Sequence, residues 1–176
     1  MCKNKSFIFL KAPLSSFFLC VLCAVFSLKI SAHLESFSFE KDWLGVKKII
    51  DEHPHFLLIP EEEGGFYLSR EYFKQDFMKT FVKKEKNGEV TGFVNCTRSP
   101  KKYCEFFYAY QGITEKKSLC KNYDKLHYIH MIAVSKNHTR KGLASSLLKK
   151  ALSELQGKPV FVDIHKKNKD SLAFFK

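Results

Sequence analysis

The sequence predicts an α/β (α+β) fold in which a mixed, mostly antiparallel central sheet contains one parallel strand–helix–strand unit. The antiparallel part is indicated by Asn87-Gly88, a typical turn dipeptide of a two-residue β-hairpin. The dipeptide lies between residues 80–86 and 89–98, and both flanks carry β-branched and aromatic residues. The sequence therefore predicts two adjacent antiparallel strands in the middle of the chain.

The parallel unit is indicated by three consecutive segments near the C-terminus. The apolar run at 126–134 is typical of a buried strand, and residues 159–165 are typical of a second one. Between them, residues 142–156 place Ala and Leu on one face of a helix, which Gly157 ends. A strand, a helix and a strand in this order form a parallel pair with a right-handed crossover.

Shorter patterns predict the elements of the N-terminal half. Loose alternation at 33–40 favours a short strand, and Asp42 can cap an amphipathic helix at 43–53. Ser69 can cap a second helix, whose aromatic positions are Tyr72, Phe73, Phe77 and Phe81.

A long connection separates the hairpin from the parallel unit. Residues 99–124 hold six aromatic side chains and five Lys, and within them residues 103–110 favour one more strand. Connections of this length are often functional, so we expect this segment to shape a substrate pocket. A last helix is predicted from Asn168 to Lys176.

The charge divides the chain into two parts. The 176 residues carry a formal charge of +12, of which residues 1–32 contribute four Lys and no acid. The +8 on the remainder favours nucleic acid, a membrane surface or a phosphate-bearing cofactor, unless it is only a solvated basic surface. The Lys residues are spread along the chain without a recognised nucleic-acid module, so no nucleic acid is expected as a partner.

The cysteines argue against a disulfide framework and against a zinc site. Cys96, Cys104 and Cys120 are the only cysteines after residue 32. Three thiols allow at most one disulfide, and their spacing is not that of a zinc site. Neither a disulfide framework nor a metal site is predicted.

Residues 1–32 have the three-part layout of a secretory signal. A basic opening precedes 17 uncharged residues at 12–28, and small residues follow at Ser31 and Ala32. We expect a signal peptide cleaved after Ala32 or, if uncleaved, a membrane anchor in which residues 12–28 form the tether. The alternatives are a buried N-terminal helix and a wrongly chosen start codon.

The segment that leads from the strand at 126–134 into the next helix carries the chemistry. The first-turn N–H groups of a helix have no partners within the helix, and together with the helix dipole they bind anions. Gly142 and Ala144 leave room for a phosphate, and Arg140 and Lys141 add positive charge. The residues predict a phosphate-bearing ligand, against the alternative of an ordinary helix start with exposed basic residues. Neither a P-loop nor a dinucleotide fingerprint is present.

Residues 128–152 resemble the acetyl-CoA-binding core of the GNAT acetyltransferase superfamily. That family has Gln/Arg-x-x-Gly-x-Gly/Ala after a strand that ends in Val, and Thr139-Arg140-Lys141-Gly142-Leu143-Ala144 follows Val134 here. Thr139 departs from the pattern, whereas Gly142 and Ala144 match it. Downstream, Asn168-x-x-Ser171-x-x-Phe174-Phe175 is similar to the family's Asn-x-x-Ala-x-x-Phe-Tyr.

The resemblance implies a GNAT-like fold with acetyl-CoA as co-substrate. It implies that two diverging strands, at 126–134 and 160–164, form the cofactor cleft. The strand end Ile132, Ala133 and Val134 would pair with the pantetheine arm, which Asn168 would also contact. Backbone N–H groups would bind the pyrophosphate in the segment Thr139, Arg140, Lys141, Gly142, Leu143, Ala144 and Ser145.

The implied reaction is acetyl transfer to a primary amine of a small molecule or of a protein or peptide. Tyr128-x-His130-x-x-x-Val134 resembles the arylalkylamine branch, in which a histidine at the position of His130 helps deprotonate the amine. An imidazole with an ordinary pKa of ~6.5 suits that role, although a structural histidine is the alternative. Strand alternation places Tyr128 and His130 on one face with Ile132 and Val134.

Two departures from the family pattern motivate a second hypothesis. The family's usual general acid is the Tyr that Phe175 replaces, which leaves Tyr128 as the substitute acid. The family also continues with further strands, so the domain at 33–176 is expected to lack its last strands and to leave a sheet edge unpaired. The second hypothesis is a weakly active or inactive GNAT-fold binding module, exported or membrane-tethered.

The localisation is left open by the sequence. The leader predicts a secreted, periplasmic or membrane-anchored protein, whereas the use of acetyl-CoA predicts the cytoplasm.

Overall fold

The computed structural model describes residues 5–10, 33–53, 72–110, 126–165 and 168–176. Its elements are β1 (Lys5–Leu10), β2 (His33–Ser36), α1 (Phe39–Glu52), β3 (Lys79–Lys84), β4 (Val90–Thr97), α2 (Pro100–Tyr110), β5 (His127–Val134), α3 (Leu143–Glu154), β6 (Val160–His165) and α4 (Lys169–Phe174). Short 3₁₀ turns span Tyr72–Lys74 and Lys136–His138. The helix predicted from Ser69 begins outside the described residues, and Phe81, which was assigned to it, lies in β3.

One sheet contains all six of these strands in the order β1-β6-β5-β4-β3-β2. Every neighbouring pair is antiparallel except β5 and β6, which are parallel and joined through α3. The predicted mixed, mostly antiparallel sheet with one parallel strand–helix–strand unit is confirmed. The predicted hairpin is present too: Gly88 has φ +85°, and the Glu89 N–H donates to Asn87 Oδ1 at 3.0 Å.

The core has two layers, one on each face of the sheet. Helix α1 packs Val46, Ile49 and Ile50 against one face, where Phe93 of β4 is fully buried. Helix α3 packs Leu147, Ala151 and the following Leu155 against the other face. The periodic apolar positions of both helices therefore face the sheet, as helix amphipathicity predicts.

Helix α1 begins four residues earlier than the sequence predicts. Its N-cap is Ser38, and Asp42 lies inside the helix, where its Oδ2 accepts the Ser38 backbone N–H at 2.8 Å. The carboxylate of Asp42 is 2% exposed, and its Oδ1 forms an ion pair with Lys84 of β3 at 2.9 Å. Asp42 thus satisfies an N-terminal N–H from within the helix and ties α1 to the sheet.

The strand predicted at 103–110 is wrong, because this segment belongs to helix α2. Pro100 occupies the first helical position, where its missing N–H costs nothing. The Ser99 N–H donates to Thr97 Oγ1 at 2.9 Å, and the Tyr103 N–H donates to the Ser99 carbonyl at 3.1 Å. These bonds turn the chain out of β4 into a helix, against the strand preference of the aromatic residues that follow.

The outer edge of β6, expected to be unpaired, is paired with β1. The two strands run antiparallel over six residue pairs, from Lys5–His165 to Leu10–Val160. Strand β1 lies within the segment predicted to be a signal or anchor. The rest of the leader, residues 1–4 and 11–32, lies outside the described residues.

Two features are absent from the described part of the chain. It contains no helix that is long and apolar enough to cross a membrane. It also contains no group of three or more His, Cys, Asp or Glu side chains that could hold a metal ion. Cys96 is free and fully buried, and burial raises the pKa of its thiol to about 12, whereas Cys104 is disulfide-bonded. Cys96 is therefore a protonated core residue at neutral pH.

Candidate active site

Strands β5 and β6 pair at their beginnings and then separate. The paired residues are His127 with Val160, Tyr128 with Phe161 and Ile129 with Val162. The pairing of β5 with β6 ends at Ile129, whereas β5 itself continues for five more residues to Val134. A parallel pair that opens in this way exposes backbone N–H and C=O groups along one edge of β5, which is the cleft predicted from the sequence.

A β-bulge lies where the two strands separate. On the β4 side, Asn95 pairs with Met131 and Cys96 pairs with Ile129, so His130 is the extra residue of β5. A bulge interrupts the strict alternation of side chains along a strand. Ile132 and Val134 consequently pack on the α3 side together with Ile129, whereas Met131 packs on the α1 side. The predicted common face for Tyr128, His130, Ile132 and Val134 is therefore wrong.

Four aromatic rings meet at this bulge. Tyr103 of α2 lies 5.1 Å from the Tyr128 ring and 5.0 Å from the His130 ring, measured between ring centroids. The Tyr128 and His130 rings are 5.8 Å apart, and Tyr128 stacks on Phe161 of β6 at 5.4 Å. Tyr128 is buried and His130 is half-buried. Elements α2, β5 and β6 thus build one aromatic wall at the point where the cleft opens.

The other end of the cleft leads to the start of α3. Gly142 is the N-cap with φ +75°, and Arg140 also has a positive φ of +59°. No side chain caps the helix, and within the described structure no heavy atom lies within 4 Å of where a Gly142 Cβ would be. In the described structure the N–H groups of the first turn thus have no side-chain cap, and the exposed side chains of Arg140 and Lys141 flank this turn. This arrangement fits a phosphate group.

The family model described as "Acetyltransferase (GNAT) family" matches residues 43–176. The chain belongs to the GNAT acetyltransferase family. The match contains the diverging strands, the bulge and the start of α3. A search of curated proteins finds no significant match to this GNAT domain.

Solved structures with the same fold include several acetyltransferases. A GNAT-family acetyltransferase from Desulfovibrio desulfuricans has a TM-score of 0.55 at 14% identity, with 82% of each chain covered. An aminoglycoside acetyltransferase from an uncultured soil metagenomic sample has a TM-score of 0.52 at 16% identity, and the match covers 82% of this chain and 84% of the other. A variant of Vibrio cholerae spermidine N-acetyltransferase has a TM-score of 0.51 at 13% identity, and the match covers 82% of this chain and 76% of the other. At these identities the likeness shows the fold.

The structure brings the predicted site residues of this GNAT domain together along one path. Tyr128 and His130 lie at the opening of the cleft, Ile132, Ala133 and Val134 form its β5 edge, and the start of α3 lies beyond. Most residues of the turn into α3 are exposed to solvent and can therefore contact a ligand. The exposed residues are Thr139, Arg140, Lys141, Gly142 and Ser145. Leu143 is instead buried in the core, so only its backbone can take part.

Asn168 and Phe175 have structural roles in the described GNAT domain. Asn168 is the N-cap of α4, and its Oδ1 accepts the Ser171 N–H at 3.0 Å. The Phe175 ring is 7% exposed and packs in the core on the α3 side. Its burial there means that Phe175 supports the α4 segment.

Tyr103 is the site residue that sequence reasoning missed. The aromatic residues around it predict a strand, although Pro100 three residues before it is a typical first residue of a helix. That signal could have identified the helix, but the contact with His130 joins segments 27 positions apart and has no local signature.

Proposed function

We propose that this GNAT domain is an acetyl-CoA-dependent N-acetyltransferase that moves an acetyl group to a primary amine. The observation that carries the proposal is the continuous path from the β5 bulge at His130 to the uncapped helix start at Gly142. The reaction needs these two ends, since one holds the reacting groups and the other holds the phosphates. The aminoglycoside acetyltransferase and the spermidine N-acetyltransferase among the structural neighbours support an amine as acceptor.

The residues of the path fit acetyl-CoA in charge and shape. The edge of β5 from Ile132 to Val134 offers backbone groups to the amides of a pantetheine arm, apart from the Val134 carbonyl, which accepts a hydrogen bond from His53. The first turn of α3 offers N–H groups, and Arg140 and Lys141 offer positive charge, to the pyrophosphate. A backbone N–H of β5 aimed at the thioester carbonyl would contribute about 2.7–4 kcal/mol to catalysis.

His130 is proposed to accept the amine proton. It is half-buried at the bulge, and bulges redirect side chains beside active sites. The Tyr103 and Tyr128 rings on either side restrict the orientation of the imidazole. Tyr128 is proposed as the proton donor to the leaving thiolate, because its phenol lies in the same wall and Phe175 has no acidic proton.

The test is calorimetric titration of the full chain with acetyl-CoA, followed by thiol release with small-molecule and peptide amines. We expect binding, and turnover with at least one amine class. His130→Gln should lower kcat by about 10²–10⁴-fold and remove the acidic limb of the pH–rate profile while leaving acetyl-CoA affinity unchanged. No binding at millimolar acetyl-CoA would refute the proposal.

The alternative is a GNAT-fold module that binds without turnover. Burial of Phe175 at the position of the family's usual acid favours it, because Tyr128 then has to serve as the acid. Saturable binding of acetyl-CoA with no thiol release for any amine would select this alternative. Turnover abolished by His130→Gln would exclude it.

The leader at 1–32 is either cleaved or retained, and the two states of the protein differ at the edge of the sheet. Cleavage after Ala32 would remove β1 and expose the outer edge of β6, and unpaired edges favour association. Retention would keep β1 in place, and residues 12–28 would then be the candidate membrane tether. The mass of the mature chain distinguishes the two states, and fractionation of expressing cells tests the secreted, anchored and cytoplasmic locations.

A further inference from the structure

The C-terminal end of α1 is bonded to the backbone on both sides of Ser135, where the chain leaves β5. His53, the C-cap of α1, has its Nε2 2.9 Å from the carbonyl oxygen of Val134. Because that carbonyl can only accept, Nε2 must carry the hydrogen. Glu52 Oε2 accepts the Lys136 N–H at 2.8 Å. These two bonds join residues more than 80 positions apart in sequence.

A third bond holds the same point from the sheet. The Ser135 N–H donates to the Thr91 carbonyl of β4 at 2.9 Å. Three successive residues, 134 to 136, are thus fixed by α1 and β4 together. The segment that follows is the turn into the phosphate-binding start of α3, so its direction relative to the β5 edge depends on these bonds.

Helix α1 is a rigid support for these contacts. Ile49 and Ile50 are 1% and 4% exposed in the core, and the His53 N–H donates to the Ile50 carbonyl at 3.0 Å. The two bonding side chains therefore project from a helix end whose position is set by packing. In contrast, neighbouring Asp51 is exposed and pairs with Lys47 on the same helix.

We propose that His53 and Glu52 are positioning residues that set the affinity of the domain for coenzyme A. This inference rests on the proposed function, in which one ligand contacts both the β5 edge and the start of α3. Such a ligand binds tightly only when the two halves of its site are held in register. The acyl end of the site, at the His130 bulge, lies at the other end of this path and is supported by α2 instead.

The prediction is a change in binding with little change in chemistry. His53→Phe removes the donor but keeps a ring, and we expect the Kd of coenzyme A and the KM of acetyl-CoA to rise about three- to tenfold, as for one lost hydrogen bond. The kcat should stay within about twofold, because interactions shared by substrate and transition state affect KM alone. His53→Gln, which keeps an N–H donor, should restore part of the affinity.

Matched variants separate positioning from general damage to the helix. Glu52→Ala should raise the Kd as His53→Phe does and speed hydrogen exchange of the Lys136 amide, whereas Asp51→Asn should leave both unchanged. Equal Kd values for wild type, His53→Phe and Glu52→Ala would overturn this inference and leave the proposed function standing. A wild-type chain that does not bind coenzyme A would overturn the proposed function and this inference with it.

Discussion

The Tyr103 ring of α2 lies 5.0 Å from the imidazole of His130, which is the extra residue in the bulge of β5. The two planes are inclined by 49°, and Tyr103 contacts the Tyr128 ring as well. Tyr103 therefore restricts both of the side chains that are proposed to move protons. A helix outside the sheet thus contacts the end of the cleft at which the proposed reaction takes place.

Tyr103→Leu is expected to lower kcat/KM for the amine and to leave the affinity for acetyl-CoA unchanged. Loss of the two ring contacts should also lower the free energy of unfolding by about 1–3 kcal/mol, since each aromatic pair contributes about 0.5–1.5 kcal/mol. Steady-state kinetics with both substrates varied, together with urea unfolding, measure the two effects. Tyr103→Phe keeps the ring and is the control, and a kcat/KM for Tyr103→Leu equal to that of the control would contradict the assigned role.

Gly142→Val is expected to abolish binding of coenzyme A. A β-branched side chain at φ +75° strains the backbone by about 1–3 kcal/mol and fills the open space beside the first turn of α3. Calorimetric titration measures the loss. Gly157→Val is the matched control, because Gly157 follows the other end of α3, has φ +100° and also has no heavy atom within 4 Å of a built Cβ.

Both glycine variants should lower the Tm, and only Gly142→Val should lose coenzyme A. Retained affinity in a folded Gly142→Val protein would place the phosphates elsewhere.

The parts of this fold that the sequence predicts are those with a local signal. The Asn87-Gly88 turn and the Gly142 helix start are encoded by residues that favour one backbone conformation. The bulge at His130 has no such signal, because an extra residue in β5 is defined only by pairing with β4. The position of His53 depends in the same way on packing of α1 against distant strands.

The errors in predicting helices α1 and α2 have a similar origin. The sequence predicts Asp42 as the N-cap of α1, because its side chain is a typical cap. In the structure Asp42 lies inside the helix, where its carboxylate accepts the Ser38 N–H and pairs with Lys84. The competing influence was a tertiary ion pair, which local propensity cannot anticipate. In α2, the aromatic residues favoured a strand, and the bonds after Thr97 determined a helix.

Asp42→Ala is expected to lower the free energy of unfolding by about 3–5 kcal/mol. The carboxylate is 2% exposed, and its removal leaves the largely buried Lys84 ammonium with Glu35 as its remaining partner. It also removes the acceptor for the Ser38 N–H. Chemical unfolding at neutral pH measures the loss.

Asp51→Asn on the same helix breaks an exposed ion pair with Lys47 and should cost less than about 1 kcal/mol. Equal losses in the free energy of unfolding for the two variants would mean that the buried pair stabilises the fold no more than the exposed pair does.

His127 is expected to make stability fall on acidification. Its side chain is buried at the start of β5, and burial followed by the Lys158 and Arg98 charges lowers its pKa below the usual 6.5. The unfolded chain therefore binds a proton at a higher pH than the folded chain does. The contribution is fully present above pH 6.5 and is lost as the pH falls through the lower, folded pKa.

His127→Leu should flatten that part of the profile. The measurement is the free energy of unfolding of both proteins between neutral and mildly acidic pH, compared as slopes because the substitution also changes packing. His33→Gln, at an exposed position on β2, should keep the wild-type slope. Parallel profiles for wild type and His127→Leu would show that His127 binds a proton equally well in the folded and unfolded chains.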